Sequence, residues 1–158
     1  MENNQSIFET ICRLREEEPG LPYRFQDERT AGQKDVLYVL ASEGIPFWRK
    51  EDLAKECCGI LKDLVNKEDT ILTDPVLRHF LEHYPICSYF IELRERVRIT
   101  LEAETSSRER LFHLGMRLAR SGTDPEQVKL GIILLGFFPY DTTKQIMRVL
   151  GYHSEYTL

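Results

Sequence analysis

The sequence predicts an all-α fold: about eight helices packed as antiparallel helix pairs, in an irregular repeat-like array or bundle. Three observations carry that expectation. Apolar residues recur at three- and four-residue steps through most of the chain. Capping pairs stand where those patterns begin: Thr30 with Gln33, Ser106 with Glu109, and Asp124 with Gln127. Finally, no two alternating segments are joined by a hairpin turn, and short turns between consecutive helices make neighbours antiparallel.

The array is organised around Asp124 to Phe138, DPEQVKLGIILLGFF. Asp124 can accept from the free N–H groups of a first helical turn, Pro125 suits the first helical position, and Gln127 can bond back to the Asp124 N–H. Val128, Leu130, Ile132 to Leu135, Phe137 and Phe138 cover most of the circumference, so neighbours are expected on several sides. Leu134 is placed deep in this core and Lys129 on its polar side. Gly131 and Gly136 each weaken a helix by about 1 kcal/mol relative to Ala, which makes sense where another backbone comes close. The run is shorter than the roughly 20 residues of a membrane span, and Pro139 stops it.

At 158 residues, residues 1–158 are expected to form one domain with a sizeable core. The content of 42% hydrophobic and 30% charged residues is that of a folded chain, and a net charge of −5 argues against a general nucleic-acid binder. Cys12, Cys57, Cys58 and Cys87 have neither zinc-site spacing nor a CxxC motif. With no signal-peptide core at the start, the expected compartment is reducing and cytoplasmic.

In chain order, Asn4 to Glu18 is an amphipathic helix with Ile7, Phe8, Ile11, Cys12 and Leu14 on one side. After an aperiodic loop pinned by Tyr23 and Phe25, a second helix presents Val36, Leu37, Val39 and Leu40 as its packing face and stops at Gly44. Trp48 is expected to wedge into the core edge ahead of a third helix, Arg49 to Lys67, with Leu53, Cys57, Ile60, Leu61, Leu64 and Val65 on its apolar face. Thr73-Asp74-Pro75 opens a short helix ending at Tyr84. Between Ile86 and Glu104 two readings compete. Phe90, Leu93, Val97 and Leu101 fit one helix face, whereas Leu93, Val97, Ile99, Leu101 and Ala103 also alternate with polar residues as in an exposed strand. Helix is preferred, because no partner strand exists. The next helix presents Leu111, Phe112, Leu114, Met116, Leu118 and Ala119 and ends at Gly122; a last one, from Asp141 or Thr142, ends at Gly151.

Thr-Asp-Pro opens a helix twice, at 73–75 and 123–125. The last fifty or so residues, with Gly122, Asp124, Pro125, the Leu130–Leu135 core and Leu150-Gly151, resemble helical-repeat proteins of the HEAT and armadillo kind. That resemblance implies stacked helix pairs with a binding face and no catalysis. The expected function is therefore a non-enzymatic protein-interaction or scaffold module, needing no cofactor, whose partner is another protein or a second copy of the chain. Neither membrane nor nucleic acid is expected as a partner.

Two other chemistries are written in the chain. His79-Phe80-Leu81-Glu82-His83 is H-x-x-E-H and resembles the zinc motif of inverzincin metallopeptidases, which implies a hydrolase with His79 and His83 as ligands and Glu82 activating water. The resemblance stops there. Val76-Leu77-Arg78 replaces the family's glycine-containing lead-in, Pro85 breaks the helix, and only Glu155 is late enough for the third ligand, so no metal is assigned. Arg94, Arg96, Arg98, Arg108, Arg110, Arg117 and Arg120 form the second, an arginine-rich window suited to anions or nucleic acid. Glu95, Glu102, Glu104 and Glu109 interleave it, and no aromatic platform accompanies it. Cys87 is expected to be buried and inert. The partner surface is sought at the chain's end, where nothing later covers Ile146, Met147, Tyr152, Tyr156 and Leu158; the alternative is a tail folded back over its own core.

Overall fold

The computed structural model describes residues 5–17, 19–20, 33–42, 45–67, 70–103, 107–153 and 156. The described residues form eight α-helices, with a 3-10 turn at Ile86–Ser88 and no strand. These are α1 (Ile7–Glu17), α2 (Gln33–Ser42), α3 (Phe47–Leu64), α4 (Pro75–His83), the 3-10 turn Ile86–Ser88, α5 (Phe90–Ala103), α6 (Ser107–Ser121), α7 (Pro125–Leu135) and α8 (Asp141–Leu150). Thr30, Ser106, Gly44 and residues 23–25 lie outside the described residues.

Local chemistry explains where the helices begin. At α4 the Asp74 carboxylate accepts from Leu77 N at 2.9 Å, and at α7 the Asp124 carboxylate accepts from Glu126 N at 2.9 Å and Gln127 N at 3.2 Å. The second half of the Asp124 box is not made, because Gln127 Nε2 reaches out to Leu72 O at 3.0 Å. A full capping box does form at α1, where Ser6 Oγ accepts from Glu9 N and a Glu9 carboxylate oxygen accepts from Ser6 N, both at 3.2 Å.

α7 is the centre, as its composition requires. Every residue from Gln127 to Leu135 is buried, and the two apolar clusters of the protein meet on it. Leu130, Ile133 and Leu134 join α3, α4, α5 and α6 residues, including Leu53, Cys57, Phe80, Leu93 and Leu114, and Tyr89 just ahead of α5. Val128, Ile132 and Leu135 join Ile7 and Ile11 of α1 and Ile146 and Leu150 of α8. α6 and α7 form an antiparallel hairpin packed at backbone distance. A Cβ on Gly131 would lie 2.6 Å from Ala119 N and 2.9 Å from Gly115 O, so the close approach expected at Gly131 is present. Gly136 differs: a Cβ there would meet only carbonyls of its own chain end, Ile133 O and Ile132 O, so it serves the helix stop and no neighbouring backbone.

The ambiguous segment is helical. Leu93, Val97 and Leu101 are buried at four-residue steps against α3, while Ile99, which an alternating strand would place beside them, is exposed. α5 packs on α3 more broadly than α4 does, so this neighbour relation skips an element and departs from strict pairing of consecutive helices. Trp48 and Phe47 are exposed at the start of α3, and the expectation that Trp48 wedges into the core is corrected. Pro46 precedes α3 without a side-chain cap, and α3 turns inward only from Leu53 onward.

Two glycines on one chain test this packing. Gly131→Ala is expected to cost about 1–3 kcal/mol through overpacking against α6, whereas Gly59→Ala, with nothing near its Cβ position, should stabilise by up to about 1 kcal/mol. Leu134→Ala should cost about 2–5 kcal/mol. Denaturant unfolding of the three variants checks all three signs.

Candidate functional site

Lys129 is where the structure departs most from the reading of α7. Expected on a polar side, its side chain is 1% exposed. A helix apolar nearly all round has no polar side, and a lysine inside it must bring its counter-charge with it. Nζ lies 2.6 Å from an Asp35 carboxylate oxygen and 2.8 Å from one of Glu126. Glu126 also accepts from Ile86 N at 2.7 Å, which ties the 3-10 turn to the same charges. Burial draws the Lys129 pKa down, but Glu126 and Asp35 outweigh it and hold the ammonium charged beyond its usual range. Burial raises the Glu126 pKa, with Lys129 and the Ile86 N–H opposing.

This trio determines how α2 sits. Asp35 is turned to the body, beside the 3-10 turn, where Cys87 Sγ approaches Asp35 O at 4.0 Å. At about 100° per residue, Leu37 and Leu40 then lie on the far side of the helix, with Val36 on a flank and Val39 nearest Asp35. Their exposures agree: 57% for Leu37 and Leu40, 59% for Val36 and 46% for Val39. The expected packing face of the second helix is therefore its outer face. Held inward by a charge, α2 presents its apolar side to solvent, with exposed Phe47 and Trp48 following in sequence.

The chemical candidates can be placed in turn. Cys87 is half-buried in the 3-10 turn and not in a helix; burial, then the Asp35 and Glu126 charges, push its pKa up to about 12, so the thiolate is disfavoured. Cys57 is buried and Cys58 half-buried, as neighbours on a helix should be, and all four cysteines are free. Four arginines of the window are engaged with neighbours. Arg98 pairs with Glu95 and Glu102, Arg110 donates to Asn66, and Arg108 and Arg120 lie over the Phe138 and Phe8 rings. His79, Glu82 and His83 are exposed on α4 with their donor atoms within 4.8 Å of one another, and among the described residues they are the one such group of three. Glu155 lies outside the described residues.

Ile146 and Tyr156 are buried in the cluster with α1, α6 and α7, and Met147 packs against it half-buried. Ile146 and Tyr156 are thus committed inside the chain, while Met147 keeps part of its surface open. Tyr152 is exposed, with the Arg15 guanidinium 4.3 Å from its ring centre, and Leu158 lies outside the described residues. His153 is fully buried, and burial followed by the Lys129 charge lowers its pKa to about 4.

No helix of the described residues is long and apolar enough to cross a membrane. No family model, no curated protein and no solved structure matches the chain.

Lys129→Ala leaves two carboxylates buried without their cation and is expected to cost about 3–5 kcal/mol, where a solvent-facing lysine would cost under about 0.5 kcal/mol. Denaturant unfolding decides between them. The pH dependence carries a second expectation. His153 binds its proton less well folded than unfolded, so its contribution is complete above about pH 6.5 and is lost as pH falls towards about 4. Glu126, with its pKa raised, acts in the opposite sense: its contribution is lost as pH rises through the carboxylate range. Stability measured from pH 7 to 4 should therefore fall less steeply for His153→Gln than for the parent chain.

Proposed function

We propose that the protein is a non-enzymatic interaction module that receives another protein on the outward apolar side of α2. One observation carries this reading: Val36, Leu37, Val39 and Leu40 stand exposed on a helix whose Asp35 is drawn inward by a buried lysine. A surface apolar ridge of this kind marks an interaction site when it is contiguous. Val36, Val39 and Leu40 stand at i, i+3 and i+4, a spacing that suits docking against a partner's amphipathic helix, and aromatic Phe47 and Trp48 are residue types enriched at interfaces. The resemblance of the last fifty or so residues to helical-repeat proteins supports the same class of function.

The proposed surface differs from the one sought at the chain's end. Tyr152 remains exposed there, but Ile146 and Tyr156 are occupied within the chain.

Paired Leu37→Asp and Leu40→Asp substitutions test the reading. They should leave the thermal midpoint within a few degrees of the parent chain, because both positions face solvent. A photo-crosslinker at Val36 should capture a discrete partner band that the double variant no longer competes for. Light scattering identifies the partner as a second copy if the parent chain is dimeric and the double variant monomeric. Collapse of the fold in the double variant would mean that this side of α2 is packed, and the surface would be withdrawn.

A further inference from the structure

We propose that His79, Glu82 and His83 form a surface site for one divalent transition-metal cation. The site is independent of the α2 surface. All three side chains stand on the last turn of α4 at i, i+3 and i+4, which places them on one face of the helix. Their donor atoms lie within 4.8 Å of one another, and the two imidazole rings are 4.1 Å apart between centres.

The hydrogen bonding fits ligation. His83 Nδ1 is 2.8 Å from the carbonyl oxygen of His79. An oxygen can only accept, so Nδ1 carries the hydrogen and the Nε2 lone pair of the neutral ring is left for a metal. A backbone carbonyl that fixes the tautomer and orientation of a ligating histidine is the usual outer-shell arrangement. Position on the helix adds to it. α4 ends here, with Tyr84 N bonded back to Phe80 O, and a positive ion at a helix C-terminus meets the negative end of the helix dipole.

The donor set selects the ion class. Two imidazoles and one carboxylate suit Zn2+, Ni2+ or Cu2+ and disfavour the all-oxygen preferences of Ca2+ and Mg2+. Zinc–nitrogen bonds of about 2.0–2.1 Å require the donors to close to about 3.4 Å in a tetrahedral shell. All three side chains are exposed, so rotation about their own bonds supplies that movement without shifting the backbone. Water or a ligand from another molecule completes the shell. Such a site binds a cation on the surface, which is a different property from the hydrolysis that the H-x-x-E-H resemblance implies.

The test is a titration of the full chain with ZnCl2 and, separately, NiCl2 in a non-chelating buffer, followed by calorimetry and by NMR of the histidine rings. One equivalent should bind, and the ring signals of His79 and His83 should move while those of His113 and His153 stay in place. His79→Ala and His83→Ala should each weaken binding by more than the roughly tenfold that loss of an outer-shell partner costs. Glu82→Gln should weaken it less, and His113→Ala not at all. Because the substituted side chains are exposed, an unchanged circular dichroism spectrum is expected for every variant. The proposal is overturned if no cation binds. It is equally overturned if the His79→Ala/His83→Ala double variant binds as the parent does, which would assign the metal to the thiols.

Discussion

The structure depends on one lysine that has no access to water. A lone ammonium in an apolar helix would be severely destabilising, and the pairing of Lys129 with Asp35 and Glu126 removes most of that cost without making the trio a large net source of stability. What the trio supplies is position. Glu126 comes from the same helix, one turn earlier, but Asp35 is 94 residues away, and the Ile86 N–H completes the set. Three separate stretches of chain must come to one place for the charge to be balanced. An apolar contact tolerates rotation of a helix about its axis; a charge contact at a single residue does not. The orientation of α2, and hence the side it offers to solvent, follows from Asp35.

α7 can play this part because α6 lets it come close. Gly131 sits against the backbone of Gly115 and Ala119, and a Cβ on Gly115 would in turn meet Leu134 Cβ at 3.0 Å and Leu135 Cγ at 3.2 Å. The two helices therefore meet over small residues, with leucines filling the space on either side. Ile7 N donates to Gly122 O at 3.0 Å, so the turn at the end of the hairpin also anchors the start of α1. The helix interior thus holds two apolar clusters apart and joins them through its own side chains. Lys129 enters from the side that neither cluster occupies.

Most of this architecture was legible as pattern. The helix class, the caps at Asp74 and Asp124, the buried centre and the close approach at Gly131 all follow from local residue chemistry, and the structure contains them. The Ser6–Glu9 box was equally visible as S-x-x-E and marks the start of α1 better than Asn4 does. Lys129 was visible too, as a lysine three residues after Glu126 inside an apolar run, though its partner Asp35 was not. An amphipathic pattern states that two sides of a helix differ; it does not state which side meets the body. For α2 the usual preference points the apolar side inward, and a buried charge elsewhere in the chain reverses it. The metal-donor cluster was fully legible, because i, i+3 and i+4 are local. The fate of the tail was not, since burial of His153 and Tyr156 depends on α1 and α8 arriving together.

Native-state hydrogen exchange of Asp35→Asn tests the central dependence most directly. With the Asp35 charge removed and the shape of the side chain kept, the amides of α2 should lose most of their protection. Those of α6 and α7 should keep theirs, because Glu126 still pairs with Lys129. If α2 remains as protected as in the parent chain, the buried charge does not hold it, and apolar packing must position this helix instead.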